Sequence, residues 1–265
     1  MDNLQMLRWQ AAEYSLECDG GVMAELSKSQ IDKLGDRLRM DPHTEEDLRL
    51  LDEFRNSYSQ SFEPVRLILQ RRTLEPVARN IKSTLSIVAK LRRQNIRLSR
   101  IQDIAGCRLV VPNVVQQNQV VEILKIDFPS AAITDRRAKP SHGYRAVHVI
   151  VKVHEKPFEI QVRSFLQHQW AELSEKASDI VDREIKYGGC GKGFQIPIMA
   201  ISTQIADYET EEMALVDPGP IPTSANITHA LIRERMEKLM RLRVMIAFQV
   251  KSLTSILEGI RSAGL

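Results

Sequence analysis

Two carboxylates mark where chemistry could begin. Asp103, in the run IQDIAGCRLVV, precedes a short β-rich stretch, and Glu159, in FEIQVR, sits inside another. Carboxylates entering one cleft from neighbouring strands make a site for a hard divalent cation such as Mg²⁺. That ion takes one or two carboxylates, keeps several waters and fills the rest of its shell with substrate phosphates, so histidine and cysteine ligands are not required. Taken singly, each residue has a plainer reading: a turn cap for Asp103, a cross-strand pair for Glu159. Lys82, Lys90, Arg92 and Arg93 could neutralise a triphosphate and Tyr144 could stack on a base, against the plainer readings of a solvated helix face and an edge tyrosine. The glycine-rich segment from Gly188 to Gly193 does not follow the phosphate-loop pattern, because no glycine lies six residues before Lys192 and Gly193 takes the place of the hydroxyl residue. G-x-S-x-G, H-E-x-x-H and G-x-G-x-x-G are absent, which removes the common hydrolase, zinc-protease and dinucleotide fingerprints.

Those side chains need elements to hold them. The 265 residues suffice for one large domain or two small ones, and 43% hydrophobic with 27% charged residues describes a chain that folds rather than a disordered or collagenous one. Three scattered cysteines, Cys18, Cys107 and Cys190, form neither a disulfide framework nor a zinc pattern, which suits a reducing compartment. With no apolar run long enough to cross a bilayer, the expectation is a soluble cytoplasmic protein. Charge is uneven: residues 1–70 carry 14 acidic and 8 basic side chains, net −6, while residues 71–108 carry 10 basic and 2 acidic, net +8. Aromatics are only 5%, so a phosphate-rich small ligand fits this basic stretch better than a base-stacking single strand.

The hydrophobic period is helical through Met23, Leu26, Ile31, Leu34 and Leu38, then Leu48, Leu51, Phe54 and Tyr58, and again in Ile81, Leu85, Val88 and Leu91. Lys82, Ser86, Lys90 and Arg93 fall on a different stripe of that last helix. Around 107 the period changes, with strands expected at CRLVV, Ala131–Thr134, Tyr144–Val153 and FEIQVR, and a helix from Val114 to Phe128. In the long strand Val147, Val149, Val151 and Val153 face the core, which puts Tyr144 and His148 on the other side; in FEIQVR the other side carries Glu159, Gln161 and Arg163. Ser164 with Gln167 forms a capping-box pair opening a helix with Leu166, Trp170, Leu173 and Ala177 on one stripe. After the prolines Pro218, Pro220 and Pro222, one or two amphipathic helices follow. Their stripe of Leu231, Met236, Leu239, Leu242, Met245, Ile246, Gln249, Leu253, Ile256 and Ile260 suits a subunit interface of a homo-oligomer or packing against the N-terminal helices. The division expected is an N-terminal helical region 1–72, a central α+β domain 73–195 and a C-terminal helical region 196–265.

Taken in order, KSTLSIVAKL, IQDIAGCRLVV, SHGYRAVHVIV and FEIQVRSFLQHQWAE resemble the synthetase domain of RelA/SpoT-type alarmone synthetases, small single-domain members included, over about residues 75–190. The resemblance implies a nucleotidyltransferase-like fold, an α+β mixed sheet flanked by helices, and Mg²⁺-dependent transfer of pyrophosphate from ATP to the ribose 3′-hydroxyl of GDP or GTP, giving (p)ppGpp. By resemblance Asp103 and Glu159 hold the metal, with Glu159 activating the acceptor hydroxyl. Arg79, Lys82, Ser86, Lys90 and Arg108 serve ATP, Arg108 on the adenine. Tyr144 stacks on guanine, with Arg136, Lys139, His148, Gln161 and His168 on the acceptor side. Two positions depart from the pattern: Asn80 replaces an adenine-stacking arginine, with Arg79 one step off, and Pro140 replaces a lysine, with Lys139 adjacent. Some toxin-like relatives use the 3′ end of tRNA as acceptor, which Arg136, Arg137 and Lys139 could serve. A non-catalytic nucleotide-binding regulator is the alternative outside enzymes.

Overall fold

The computed structural model describes residues 26–181, 192–217 and 225–263. The first part of the expected N-terminal helix, with Met23, and most of the glycine- and proline-rich segments lie outside the described residues. Three helices lead, α1 (Lys28–Arg37), α2 (Glu45–Asn56) and α3 (Phe62–Gln70), the first two started by Ser27 and Thr44 side chains that accept from backbone N–H groups three residues on. Strand β1 (Val77–Ala78), helix α4 (Thr84–Gln94), strand β2 (Ala105–Val111), helix α5 (Val114–Asp127) and strands β3 (Ala132–Asp135), β4 (Val147–Val153) and β5 (Lys156–Ser164) follow. The sheet order is β1-β2-β5-β4-β3, with β2 and β5 parallel and the other neighbours antiparallel. This is an α+β architecture built on a mixed sheet flanked by helices, as expected. The valines of β4 join Leu34, Leu51 and Phe54 of the leading helices, Ile87 and Leu91 of α4 and Leu124 of α5 in one continuous core. Among the described residues no helix is long and apolar enough to cross a membrane.

Four details differ from the sequence reading. Leu85 is 71% exposed, because α4 starts at its Ser83 cap in a phase that turns Ile87, Val88 and Leu91 inward instead. The long strand begins at Val147 rather than Tyr144, since the Tyr144 N–H closes a tight turn on the Ser141 carbonyl at 2.9 Å. Beyond helix α6 (Phe165–Ile180), helix α7 (Lys192–Val216) starts inside the glycine-rich segment, ahead of the helical region expected from 196, in spite of Gly193 and Pro197. Pro197 lies in its second turn, where the missing N–H leaves the Gly193 carbonyl without a helical donor; what compensates is packing, as Ile198, Ile201 and Ile205 join Trp170, Leu173 and Ala177 of α6 in a second cluster. Helix α8 (Ala225–Ser262) completes that cluster with Ile246 and Leu257. Its inward residues Leu239, Leu242, Ile246, Gln249, Leu253 and Ile260 meet α6 and α7, not the N-terminal helices, while Leu231, Met236, Met245 and Ile256 of the same expected stripe are exposed.

Candidate active site

The centre of the site is set by β2 lying parallel to β5. Gly106 pairs with Glu159, and a Cβ there would drive into the Glu159 carbonyl oxygen, so only glycine lets the strands meet at this point. The chain after β1 continues alongside β2, with the Arg79 N–H on the Gly106 carbonyl (3.0 Å) and the Lys82 N–H on the Ile104 carbonyl (2.8 Å). This brings Lys82 Nζ to 3.1 Å from Asp103 Oδ2. From α4, Lys90 Nζ reaches Asp103 Oδ1 at 2.8 Å. The Arg55 side chain of α2 donates to the Lys82 carbonyl (2.8 Å) and the Thr84 hydroxyl (3.1 Å), so the leading helices hold this corner from outside.

Glu159 is 4% exposed yet fully engaged. Its Oε1 accepts from His148 Nδ1 at 2.9 Å, and its Oε2 accepts from Gln161 Nε2 at 2.7 Å and from the Arg79 guanidinium. Burial opposes its ionisation, but the His148 contact and the Arg79 charge outweigh burial and hold the carboxyl at about 2. Burial likewise opposes the charge on Asp103, and Lys82 and Lys90 override it, so Asp103 also sits below the ordinary aspartate range. Behind His148 runs a chain of polar contacts. Arg163 donates to the Tyr144 hydroxyl (3.0 Å) and to Gln161 Oε1 (2.9 Å), and the Tyr144 hydroxyl lies 2.9 Å from His148 Nε2. The His148 ring thus bridges the two halves of the cleft, Nδ1 on Glu159 and Nε2 on the Tyr144 hydroxyl. Burial raises the Tyr144 phenol, which keeps that hydroxyl a donor.

Arg79, Asp103, Tyr144, His148, Glu159 and Gln161 all line one cleft of about 470 Å³. Of the remaining expected residues, Lys82 and Lys90 touch the site through Asp103. Arg108, on β2 opposite Gln161, and His168 of α6, 3.2 Å from Glu172 and with its imidazole pKa lowered by burial, lie beside the cleft rather than in its lining, which Arg163 joins. Ser86 is exposed and bonded to Ser83, and Arg136 and Lys139 are exposed in the loop after β3. Arg137, which could have joined them, is tied to Asp135, Asn118 and Gln117.

Sequence reasoning left three contributors out of the site. Arg163 lies beneath the Tyr144 ring, its Cζ 5.1 Å from the centroid, a cation–π contact that fixes the ring; its place on the Glu159 face of FEIQVR was the available signal. Trp170 forms part of the cleft wall, and its indole donates to the Ile198 carbonyl at 2.7 Å. Glu209 of α7, 6% exposed, accepts from Ser164 Oγ at 2.6 Å and Gln167 Nε2 at 2.8 Å, at the start of the helix that carries Trp170; nothing local in ETEEMALV reveals that.

Residues 79–179 match the family model described as the region found in RelA / SpoT proteins. The chain carries a RelA/SpoT-type domain. The chain is 37% identical over 117 residues to an uncharacterized protein of Mycobacterium tuberculosis, covering 42% of this chain and 42% of the relative. A probable chloroplastic GTP diphosphokinase of Oryza sativa subsp. japonica is 29% identical over 139 residues, 50% of this chain and 18% of the rice protein. The chain thus spans about two fifths of the mycobacterial protein's length and less of the rice protein's. Among solved structures, the small alarmone synthetase 1 from Bacillus subtilis superposes with a TM-score of 0.48 at 23% identity, over 64% of this chain and 97% of that one.

The RelA/SpoT-type domain offers a divalent cation two ionised, hard oxygen donors in one cleft. Among the described residues no group of three or more His, Cys, Asp or Glu could hold a metal, and an ion completing its shell with phosphate oxygens and water needs only these two carboxylates. The donor set fits.

Proposed function

We propose that this protein is a pyrophosphokinase that transfers the β,γ-pyrophosphoryl group of ATP to the 3′-hydroxyl of GDP or GTP, making (p)ppGpp. The observation that carries this reading is the cleft in which Asp103 and Glu159, both ionised, face Tyr144 across His148 and Gln161. Asp103 and Glu159 would hold Mg²⁺, which supplies charge neutralisation on the donor phosphates when bound. Lys82 and Lys90, two cations on one carboxylate, are placed to exchange Asp103 for phosphate oxygens, and positioning plus charge is most of what such transfers require. Tyr144, braced by Arg163, presents its ring to the acceptor base.

Glu159 carries a specific constraint. A carboxyl held at about 2 is a poor proton acceptor near neutral pH, so Glu159 can take the 3′-hydroxyl proton only after its contacts with His148 and Arg79 loosen, and Arg79 would move toward the donor phosphates. A tRNA acceptor is the second reading, favoured by the exposed Arg136 and Lys139 at the loop leading to Ser141 and His142 of the cleft. The protein is read as a homo-oligomer associating through the exposed apolar side of α8. Thin-layer chromatography of products from labelled ATP with GDP, GTP or tRNA tests the activity. A labelled guanosine product supports the first reading, labelled tRNA replaces it with the second, and nucleotide binding with no product in either leaves a regulator.

A further inference from the structure

The loop that presents Tyr144 is held by a helix outside the matched domain. Gly143 has φ +84°, and its carbonyl accepts from the Ser202 hydroxyl of α7 at 2.6 Å. A Cβ on Gly143 would meet the Trp170 ring at 2.7 Å, Met199 Sδ at 2.9 Å and Ser202 Cβ at 3.2 Å, so the loop is pressed against α6 and α7 with no slack. Ser202 is 3% exposed, and its hydroxyl reaches the backbone between His142 and Tyr144, both of which line the cleft. His142 also has positive φ, +50°, so two successive residues occupy a backbone region that L-residues other than glycine rarely adopt. Such a conformation persists where its surroundings over-determine it, and the surroundings here are Ser202, Met199 and Trp170.

We infer that Ser202 is a positioning residue for the acceptor: its hydrogen bond to the Gly143 carbonyl fixes the Ser141–Tyr144 turn, and through it the orientation of the Tyr144 ring toward the acceptor base. The inference rests on the reading of the cleft as a site for ATP and a guanosine nucleotide. The donor side, built from Lys82, Lys90 and Asp103, has no contact with Ser202, so the effect belongs to one substrate. Loss of the hydroxyl leaves a buried carbonyl unpaired, which sets the expected weakening at about tenfold.

The test uses the full chain and three measurements on wild type, Ser202→Ala and Ser202→Thr: hydrogen exchange across residues 136–146, equilibrium binding of GDP, and equilibrium binding of a non-hydrolysable ATP analogue. In Ser202→Ala the turn should exchange faster while α6 and β4 keep their protection, GDP should bind about tenfold more weakly and the ATP analogue unchanged, with Ser202→Thr restoring most of the loss. Unchanged exchange in the turn overturns the inference whatever the activity. Equal weakening of both nucleotides overturns it too, as general loosening. A wild-type protein that binds neither nucleotide removes the functional reading itself and the inference with it, and that result is visible before any variant is made.

Discussion

At Glu159 burial and charge pull in opposite directions, and charge wins. A carboxyl lowered from 4.5 to about 2 binds its proton less readily in the folded protein than in the unfolded chain. Its contribution to stability is therefore complete above about pH 4.5 and is lost as pH falls toward 2; Asp103, lowered in the same direction, adds to that acid-side loss. The gap corresponds to about 3 kcal/mol for Glu159, and urea midpoints falling between pH 5 and pH 3 would check it. The same arithmetic qualifies a mutational test. Asp103→Asn and Glu159→Gln should each lower transfer on the order of a hundredfold or more, as loss of a metal ligand implies, but Glu159→Gln should also lose about 3 kcal/mol of stability because its amide cannot answer Arg79. Activity and circular dichroism measured at one low temperature separate the two effects, and full turnover in either variant refutes the metal assignment. Both carboxylates were legible in the sequence, because strand alternation alone set Glu159 and Gln161 on one face. The Arg163–Tyr144–His148 chain was not, since it depends on how a turn outside regular structure folds back.

Helix α7 falls largely in the helical region expected from 196, but its start and its docking were illegible for a different reason: their evidence is tertiary. A glycine and a proline near its start argue against a helix locally, and what overrides them is docking. Glu209 sits at the N-terminus of α6 and Glu212 accepts from the Val114 N–H, the first of α5. Two carboxylates from one helix thus sit at the positive ends of two others, Glu212 on the backbone N–H of Val114 and Glu209 on the capping-box side chains Ser164 and Gln167. Burial raises the Glu209 carboxyl in spite of its hydrogen bonds from Ser164 and Gln167, so the folded state favours its protonated form and its contribution to stability declines as pH rises above about 4.5, opposite in sign to Glu159. Glu209→Ala leaves the Ser164 hydroxyl and Gln167 amide without their acceptor and should cost about 1–3 kcal/mol. Glu209→Gln, which keeps an acceptor, should lose less. Chemical denaturation followed by Trp170 fluorescence near neutral pH gives the comparison, and equal losses in the two variants would show that the contact contributes by packing alone.

Over the whole molecule, the two-period pattern conveyed the sheet and its helices correctly, because the alternating valines of β4 and the capping box at Ser164 are local signals. It left the covering of α8 open between a subunit interface and the N-terminal helices, and part of the helix is covered by α6 and α7 instead. The seam through Ile246 and Leu257 is satisfied within the chain, and the apolar residues left outside are Ile232, Met236, Met240, Val244 and Phe248, one every four residues, with Val244 71% and Phe248 70% exposed. A row of that kind on a 38-residue helix is the surface through which the proposed homo-oligomer would form. Light scattering at micromolar concentration should show an assembly that Val244→Glu with Phe248→Glu converts to a folded monomer; a monomeric wild-type protein would dispose of the assembly.

The two carboxylates that α7 lends to α5 and α6 also bear on where this chain could be cut. The family-matched span ends at residue 179, yet a fragment stopping at 181 would bare two helix starts, the Trp170 wall and the underside of the turn at Gly143. Such a fragment, residues 26–181, should bind the dye ANS and lose its near-ultraviolet circular dichroism, while residues 26–263 should not. The smallest autonomous unit in this chain should therefore be longer than the span the family model matches, and a fragment cut at that boundary would carry away a molten core.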